Sequence, residues 1–230
     1  MPFQTIPTEI YQLFEEHGAS VKIDKGHQLF QEGEKADSIF LIKSGVIQLS
    51  KETEQGKELT LRICGNGVLI GESSPFCHLN YHMVSARAVE PATLLSLSQQ
   101  TFELLVTEHP KLMMEYLQWV QIEAMKHQSR LRDLMLHGKK GALFSTLIRL
   151  TNTYGEAQED SSIFINFTLT NTELANLCAT SRELINRMLN DLKKRNIISF
   201  NKGHITVHDL QFLKNEINCE NCPLMICRID

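Results

Sequence analysis

The chain has 230 residues, of which 42% are hydrophobic and 22% charged, as in an ordinary globular protein of one large or two modest domains. No run approaches the roughly 20 apolar residues of a membrane helix, and the N-terminus does not resemble a signal peptide. We therefore expect a cytoplasmic protein whose six cysteines are thiols or metal ligands. The net charge of −4 argues against binding of nucleic acid over the whole surface, but it allows a local cationic face.

Residues 1–108 are predicted to form an antiparallel β-roll after a short helix over 9–17. From Val21 to Leu97, short apolar and β-branched runs such as SIFLIKSGVIQLS alternate with glycines. This pattern is typical of an all-β unit with tight corners.

A long helix is predicted over 109–137, with Pro110 suited to its first turn. Its apolar residues recur at alternating steps of four and three, which is a heptad seam of about three repeats. Such a seam indicates either a homodimer, which we favour, or a helix packed on its own domain. His127 is interpreted as a polar residue that sets the register. The seam comprises Met113, Leu117, Val120, Ala124, His127, Leu131 and Leu134.

A break at 136–141 precedes a predicted winged helix-turn-helix domain over 138–215. Thr170 and Glu173 form a capping box that begins one short helix, and a second box over Thr180–Glu183 begins another. Two capped helices joined by a turn of about three or four residues match the helix-turn-helix pattern. The overall fold class is therefore predicted to be α+β.

The second helix of this pair has an apolar face and a polar face. Arginine on the polar face can bond guanine, and glutamate can accept from cytosine, in the major groove of DNA. The segment from Thr170 to Lys214 contains seven Lys or Arg and four Asp or Glu, a local net charge of +3. A solvated surface is the alternative, but a hairpin over 197–207 that resembles a wing favours DNA reading. The predicted DNA-binding residues are Ser181, Arg182, Glu183, Asn186 and Arg187.

The tail, residues 216–230, contains Cys219, Cys222 and Cys227. Thiolates select zinc or iron–sulfur clusters among biological metals. The residues alone leave three interpretations open: a cluster, a structural zinc with one further ligand, or unligated thiols. The remaining cysteines fall in apolar or helical contexts and are predicted to be small core residues: Cys64, Cys77 and Cys178.

The order of β-roll, long helix and helix-turn-helix, with Ser-Arg-Glu-x-x-x-Arg beginning at Ser181, resembles the CRP/FNR superfamily of bacterial transcription regulators over essentially the whole chain. The resemblance implies that Arg182, Glu183 and Arg187 read bases in palindromic TGTGA-like half-sites, one helical turn apart. It also implies RNA polymerase as a partner, no membrane and no enzymatic activity. The sequence agrees, since it contains no nucleophile–base constellation, phosphate-binding glycine loop or HExxH motif.

The cyclic-nucleotide pocket of this family uses a Gly-Glu pair and an Arg-Ser pair. Gly71-Glu72 matches the first pair, whereas the second falls on His82-Met83. Neutral His and Met cannot neutralise a cyclic phosphate as a guanidinium does. This departure argues against cAMP as the effector, and Gly71 and Glu72 are then expected to be a tight corner and a surface acid.

The tail is similar to that of a Gram-positive, Bacillus-type branch of the oxygen-sensing Fnr proteins, which carry a [4Fe–4S] cluster. The resemblance implies that Asp133 completes a cluster held by Cys219, Cys222 and Cys227, with His137 as the rival ligand. From the residues alone, Asp133 would instead be an ion-pair partner of nearby basic side chains. The expected function is an oxygen-responsive anaerobic activator or repressor.

Two alternatives stay open. One is a regulator of the same family without a cluster, either switched by a small effector or permanently active, with zinc or free thiols in its tail. The other is an iron–sulfur electron carrier that does not bind DNA.

Overall fold

The structure is a computed structural model that describes residues 6–71, Phe76 and residues 80–230. The chain divides into an N-terminal unit, Met1–Ile122 with Asp230, and a C-terminal unit, Glu123–Ile229. The predicted fold class is confirmed: antiparallel sheets, a long helix and a winged helix-turn-helix follow one another. Across the described ranges, no helix has the length and apolar character needed to cross a bilayer.

The described helices and strands are α1 (Thr8–His17), β1 (Ala19–Ile23), β2 (Gln28–Phe30), β3 (Ser38–Ser44), β4 (Ile47–Glu52), β5 (Glu58–Cys64), β6 (Leu69–Ile70), β7 (Ser85–Ala88), β8 (Ala92–Ser98), α2 (Gln99–Glu108), α3 (Pro110–Tyr154), β9 (Gly155–Ala157), β10 (Ile163–Ile165), α4 (Asn171–Leu177), α5 (Arg182–Lys194), β11 (Ile198–Asn201), β12 (His204–Val207) and α6 (Leu210–Glu216).

The N-terminal unit is built on two four-stranded antiparallel sheets, ordered β1-β8-β3-β6 and β2-β7-β4-β5. Alternating apolar residues of these strands form one buried cluster, which includes Ile47 and Leu94. A second cluster joins α1, α2 and the start of α3 through Phe14, Phe102 and Trp119. The turn between β3 and β4 requires Gly45, because its φ is +83° and a Cβ there would lie 2.2 Å from a backbone oxygen.

Helix α3 presents two different faces within the N-terminal unit. Leu112, Tyr116 and Trp119 are buried in the core of that unit. The predicted seam lies on another side, where Leu117 is 52% exposed. Leu131, the part of the seam that belongs to the C-terminal unit, is 60% exposed. The long helix is therefore confirmed, and its seam is available to a partner helix. The homodimer stays a prediction.

The helical path of α3 is interrupted inside the predicted break at 136–141. Gly138 has φ +59° and ψ −157°, a non-helical conformation at a kink between two helical segments. L-amino acids with side chains rarely adopt these angles, whereas glycine does so at little cost. We refer to this position as the hinge.

The C-terminal unit contains α4, α5 and an antiparallel sheet in the order β11-β12-β10-β9. β11 and β12 form the predicted wing, with Asn201 opposite His204. The two turn residues, Lys202 and Gly203, have φ values of +49° and +86°. Positive φ at both positions is typical of the type I′ turn that matches the twist of a hairpin.

We predict that Gly138→Ala destabilises the C-terminal unit by about 1–3 kcal/mol, because the hinge conformation is strained for alanine. No steric clash contributes, since no atom of the described residues outside the adjoining backbone lies within 4 Å of the added Cβ. Urea denaturation followed by circular dichroism measures the change. Gln128→Ala, at an exposed position of the same helix, is the control and should change stability by less than about 0.5 kcal/mol. Equal stability of the two variants would show that the hinge is not strained.

Candidate DNA interface and cysteine site

The first helix of the helix-turn-helix begins with the predicted capping box. Thr170 Oγ1 accepts from the backbone N–H of Glu173 at 3.2 Å, and Glu173 Oε2 accepts from the backbone N–H of Thr170 at 2.7 Å. Both interactions satisfy backbone donors that a helix start leaves free. The prediction for α4 is confirmed.

The second capping box is wrong by one residue. Ser181, not Thr180, is the N-cap of α5, and its Oγ accepts from the backbone N–H of Leu184 at 3.2 Å. The Glu183 carboxylate therefore does not close a box with Thr180. It accepts from its own backbone N–H and from the Ser181 hydroxyl, and these hydrogen bonds lower the pKa of Glu183. Glu183 is thus held as an ionised acceptor in the first turn.

Helix α5 separates its two faces as predicted. Ile185, Leu189 and Leu192 are buried. On the other side the predicted DNA-binding residues are all exposed: Ser181, Arg182, Glu183, Asn186 and Arg187. Such a face can present guanidinium and carboxylate groups to base edges. Their roles in base reading stay predictions.

Two contacts hold α5 and its turn in place. Asn186 Oδ1 accepts from Asn171 Nδ2 at 3.2 Å, which ties α5 to α4. Lys139, the residue after the hinge, donates from Nζ to the carbonyl oxygen of Ala179 at 2.6 Å. Ala179 lies in the turn between the helices with φ +48°. The hinge is therefore bonded directly to the helix-turn-helix turn.

The tail follows α6 and is folded back by local hydrogen bonds. The backbone N–H of Cys219 donates to Lys214 O at 2.9 Å, and that of Cys227 donates to Pro223 O at 3.0 Å. Cys219, Cys222 and Cys227 are each partly exposed. The three thiols therefore lie in an ordered segment and not in a free end.

Side chains of α3 bind the main chain of the tail. They lie on both sides of the hinge and donate to three carbonyl groups in the final turn of the chain. The contacts are Arg130 Nη2 to Arg228 O at 2.9 Å, Arg149 Nη1 to Ile226 O at 3.2 Å and Asn152 Nδ2 to Cys227 O at 2.7 Å.

Asp133 is buried, at 3% exposure, and both of its carboxylate oxygens accept hydrogen bonds. Oδ1 accepts from Arg132 Nε at 3.0 Å and Nη2 at 2.7 Å. Oδ2 accepts from Ser145 Oγ at 2.5 Å and Arg149 Nη2 at 2.8 Å. Burial acts to raise the pKa of Asp133, but the hydrogen bonds from Ser145, Arg132 and Arg149 outweigh it and lower the pKa. The carboxylate is therefore ionised and fully hydrogen-bonded.

The predicted ligands share one neighbourhood. Cys222 Sγ lies 3.9 Å from Ser129 Oγ, which accepts from Arg149 Nη2 at 2.9 Å, and the same Nη2 binds Asp133. The pKa of Cys227 is raised, first by burial, then by the negative charge of Cys219, Cys222 and Asp133, while Arg149 lowers it.

The set nevertheless does not form a finished metal site. Within the described part of the chain, no three His, Cys, Asp or Glu side chains are arranged to hold a metal ion. Three thiols and a carboxylate among arginines suit an iron–sulfur cluster in donor type and charge. Ligation by Asp133 requires that it exchange partners. His137, the rival ligand, is half-buried and packs against Gly141 beside the hinge.

The other described cysteines are core residues, as predicted. Cys64 and Cys178 are fully buried. Burial raises the pKa of Cys178 to about 12, although a hydrogen bond to Thr146 acts in the opposite direction. Such a thiol is unreactive at neutral pH. Cys77 lies outside the described residues.

The position that should bind a cyclic phosphate holds a neutral ring. His82 is 7% exposed and stacks on Phe30 with ring centroids 3.7 Å apart. Burial lowers its pKa, against the opposing influence of Glu34 and Asp37. Gly71 has φ +79°, consistent with a tight corner, while Glu72 lies outside the described residues. The expectation that cAMP is not the effector stays a prediction.

Sequence reasoning missed Ser145 and Arg149, which hold Asp133. The run Ala142–Leu150 is buried throughout, and these two polar residues are one helical turn apart within it. An arginine in a buried helix requires a counter-charge. That requirement was the available signal, but the sequence alone does not say which acid supplies the charge.

Residues 20–109 match the cyclic nucleotide-binding domain family, and residues 142–216 match the Crp-like helix-turn-helix domain family. The anaerobic regulatory protein of Bacillus subtilis (strain 168) is 44% identical over 226 residues, covering 98% of this chain and 94% of that protein. The CRP-like cAMP-activated global transcriptional regulator of Mycobacterium tuberculosis is 25% identical over 193 residues, covering 84% and 85%. FixK2 from Bradyrhizobium japonicum has a TM-score of 0.76 at 14% identity, covering 86% of this chain and 96% of that structure, which shows a shared fold.

We predict that Arg182→Ala weakens binding to a specific site by about 1–3 kcal/mol while largely sparing random DNA, because a base contact is lost. Lys193→Ala, near the other end of α5, is the control and should leave the ratio of specific to random binding unchanged. Fluorescence anisotropy with both duplexes at one fixed salt concentration measures that ratio. An unchanged ratio for Arg182→Ala would remove this residue from base reading.

Proposed function

Because the chain belongs to the CRP/FNR family of transcription regulators, we propose that it is an oxygen-responsive regulator controlled by a [4Fe–4S] cluster in its tail. It is a DNA-binding regulator and not an enzyme. The observation that carries the finer proposal is a three-cysteine tail docked beside the buried Asp133. The name of the Bacillus subtilis relative, an anaerobic regulatory protein, supports the anaerobic role.

In this proposal Cys219, Cys222, Cys227 and Asp133 are the ligands. The bound cluster supplies an iron–sulfur centre that oxygen can attack. Arg149 and Arg132 lie among these groups and offset the negative charge of thiolates and carboxylate. A carboxylate is a harder and more exchangeable ligand than a thiolate, so Asp133 is the weak point of the set.

The tail is bonded to both helical segments of α3. Arg130 precedes the hinge, whereas Arg149 and Asn152 follow it, and all three bind tail carbonyl groups. A tail that holds the cluster would therefore restrict movement about Gly138. The hydrogen bond from Lys139 to Ala179 would extend this restriction to the turn before α5. Release of the tail shifts the population of hinge conformations and lowers operator affinity.

DNA reading follows from the exposed face of α5. Arg182, Glu183 and Arg187 contact base edges, and the wing lies against the backbone. Pairing of two chains through the exposed seam of α3 places two such faces one helical turn apart, to match palindromic TGTGA-like half-sites. RNA polymerase is the expected protein partner of the bound dimer.

A regulator without a cluster is the second candidate. The hydrogen bonds to Asp133 favour this candidate, because they satisfy both carboxylate oxygens without a metal ion. The tail would then hold zinc or free thiols. Acid-labile sulfide separates the two candidates, because only a cluster contains it.

We predict that protein purified without oxygen contains iron and sulfide and binds operator DNA more tightly than the same protein after exposure to air. Metal analysis, a sulfide assay and anaerobic anisotropy measure these quantities. Cys222→Ser should lose the cluster, and Cys64→Ser, in the buried core, is the control that should retain it. A colourless protein with one zinc and no sulfide, or equal affinities before and after air, would contradict the proposal.

We predict that Leu117→Glu weakens self-association at least about tenfold, because it places charge in the centre of an apolar seam. Leu117 is 52% exposed, so the fold of the single chain should be unaffected. Analytical ultracentrifugation over a concentration series measures the association. Gln118→Glu, exposed on the same turn, is the control. A wild-type chain that is monomeric at all concentrations would reject the homodimer.

A further inference from the structure

The partners of Asp133 support an inference that rests on the proposed function. We propose that Ser145 and Arg149 are positioning residues that compete with iron for the Asp133 carboxylate. Binding of the cluster then requires hydrogen bonds across the hinge to break.

The competing contacts connect the two segments of α3. Asp133 precedes Gly138, whereas Ser145 and Arg149 follow it. Ser145 Oγ and Arg149 Nη2 both donate to Oδ2, at 2.5 and 2.8 Å. Among the side-chain hydrogen bonds of the described residues, these two are the only ones that connect Asp133 to a residue after Gly138. The same oxygen cannot keep both donors and bind iron.

Arg132 has a different role, because it lies next to Asp133 in the chain. It binds Oδ1 and also pairs with Glu220 of the tail. Its side chain is 24% exposed, against 3% for Arg149. Arg132 can therefore follow Asp133 through any movement of the hinge, whereas Ser145 and Arg149 cannot.

Arg149 has a replacement counter-charge at hand. Its remaining acceptors, Ser129 Oγ, Ser145 Oγ and Ile226 O, are neutral, so loss of Asp133 alone would leave a buried guanidinium unpaired. Arg149 already bonds the tail at Ile226 O, the residue before Cys227. A tail that held the cluster would therefore place the negative charge of its ligands beside the guanidinium that Asp133 had left.

This exchange links metal binding to hinge geometry. With Asp133 bonded to Ser145 and Arg149, both these contacts and those of the tail span Gly138. When Asp133 binds the cluster, the tail contacts would remain and at least one of the Asp133 contacts would be lost. The two states therefore differ in which groups span Gly138. A differential interaction of this kind is what a ligand needs in order to shift a conformational equilibrium.

The test uses Ser145→Ala in the full chain, because the hydrogen bonds of Ser145 Oγ with the described residues join it to Asp133 and Arg149 and not to the tail. Thr151→Val is the matched control, since the Thr151 hydroxyl in the same buried helix bonds Ile148 O at 2.7 Å and no other group in the described part of the chain. Each protein is loaded with iron and sulfide without oxygen and titrated with an iron chelator. Ser145→Ala should raise the chelator concentration for half-loss of iron about tenfold over wild type, since one charge-assisted competitor is removed. Thr151→Val should match wild type.

Hydrogen exchange on the cluster-free proteins is the second readout. Amides of residues 134–142 should exchange severalfold faster in Ser145→Ala than in wild type or Thr151→Val. Arg149→Lys, which cannot bind all four acceptors at once, should speed the same amides. In an Asp133→Asn background, Ser145→Ala should no longer change the chelator midpoint.

Three results overturn the inference while leaving the proposed function intact. They are iron retention by Ser145→Ala equal to that of Thr151→Val, hinge amides that do not respond, and an effect of Ser145→Ala that persists with Asp133→Asn. If the wild-type chain takes up neither iron nor sulfide, the proposed function is contradicted. The proposed competition for Asp133 is then contradicted as well.

Discussion

The buried ion pair between Asp133 and Arg149 is the interaction on which the C-terminal unit depends. Both side chains are almost without solvent, and a charge in that position costs several kcal/mol unless it is paired and hydrogen-bonded. Four hydrogen-bond donors around Asp133 and four hydrogen-bond acceptors around Arg149 offset this cost. The hinge, the buried helix after it and the tail therefore meet at one pair of residues.

The long helix α3 combines three surfaces in one element. Its inner face is apolar at Leu112 and Trp119 but becomes polar further along, at Ser129 and Asp133. Apolar burial suits a permanent core, because it depends only on the area removed from water. Polar burial depends on specific partners, so it can be exchanged for another set of partners. The exposed seam, which begins at Met113 and includes Leu117, is the third surface.

The signal that controls DNA binding by this regulator is proposed to act on the tail and not on the β-roll. The β-roll keeps the architecture of a cyclic nucleotide-binding domain. Its expected phosphate-binding position, however, holds His82 stacked on Phe30, which offers no positive charge. The tail contacts the hinge segments directly, and Lys139 continues from the hinge to the turn before α5. Hydrogen bonds thus connect the cysteine-containing tail, through α3 and Lys139, to the turn that precedes the DNA-reading face of α5.

Features set by neighbours in the sequence were predicted, and features set by distant partners were not. The Thr170 capping box, the wing hairpin over 197–207 and the two faces of α5 each depend on residues within a few positions, so the sequence pattern predicts them. The N-cap of α5 was missed by one residue, because Thr180 and Ser181 offer the same hydroxyl and only the backbone conformation distinguishes them. Resemblance, not spacing, singled out Asp133. Its pairing with Ser145 and Arg149 was decided by tertiary structure, since the kink at Gly138 brings together residues from two helical segments that no periodicity connects.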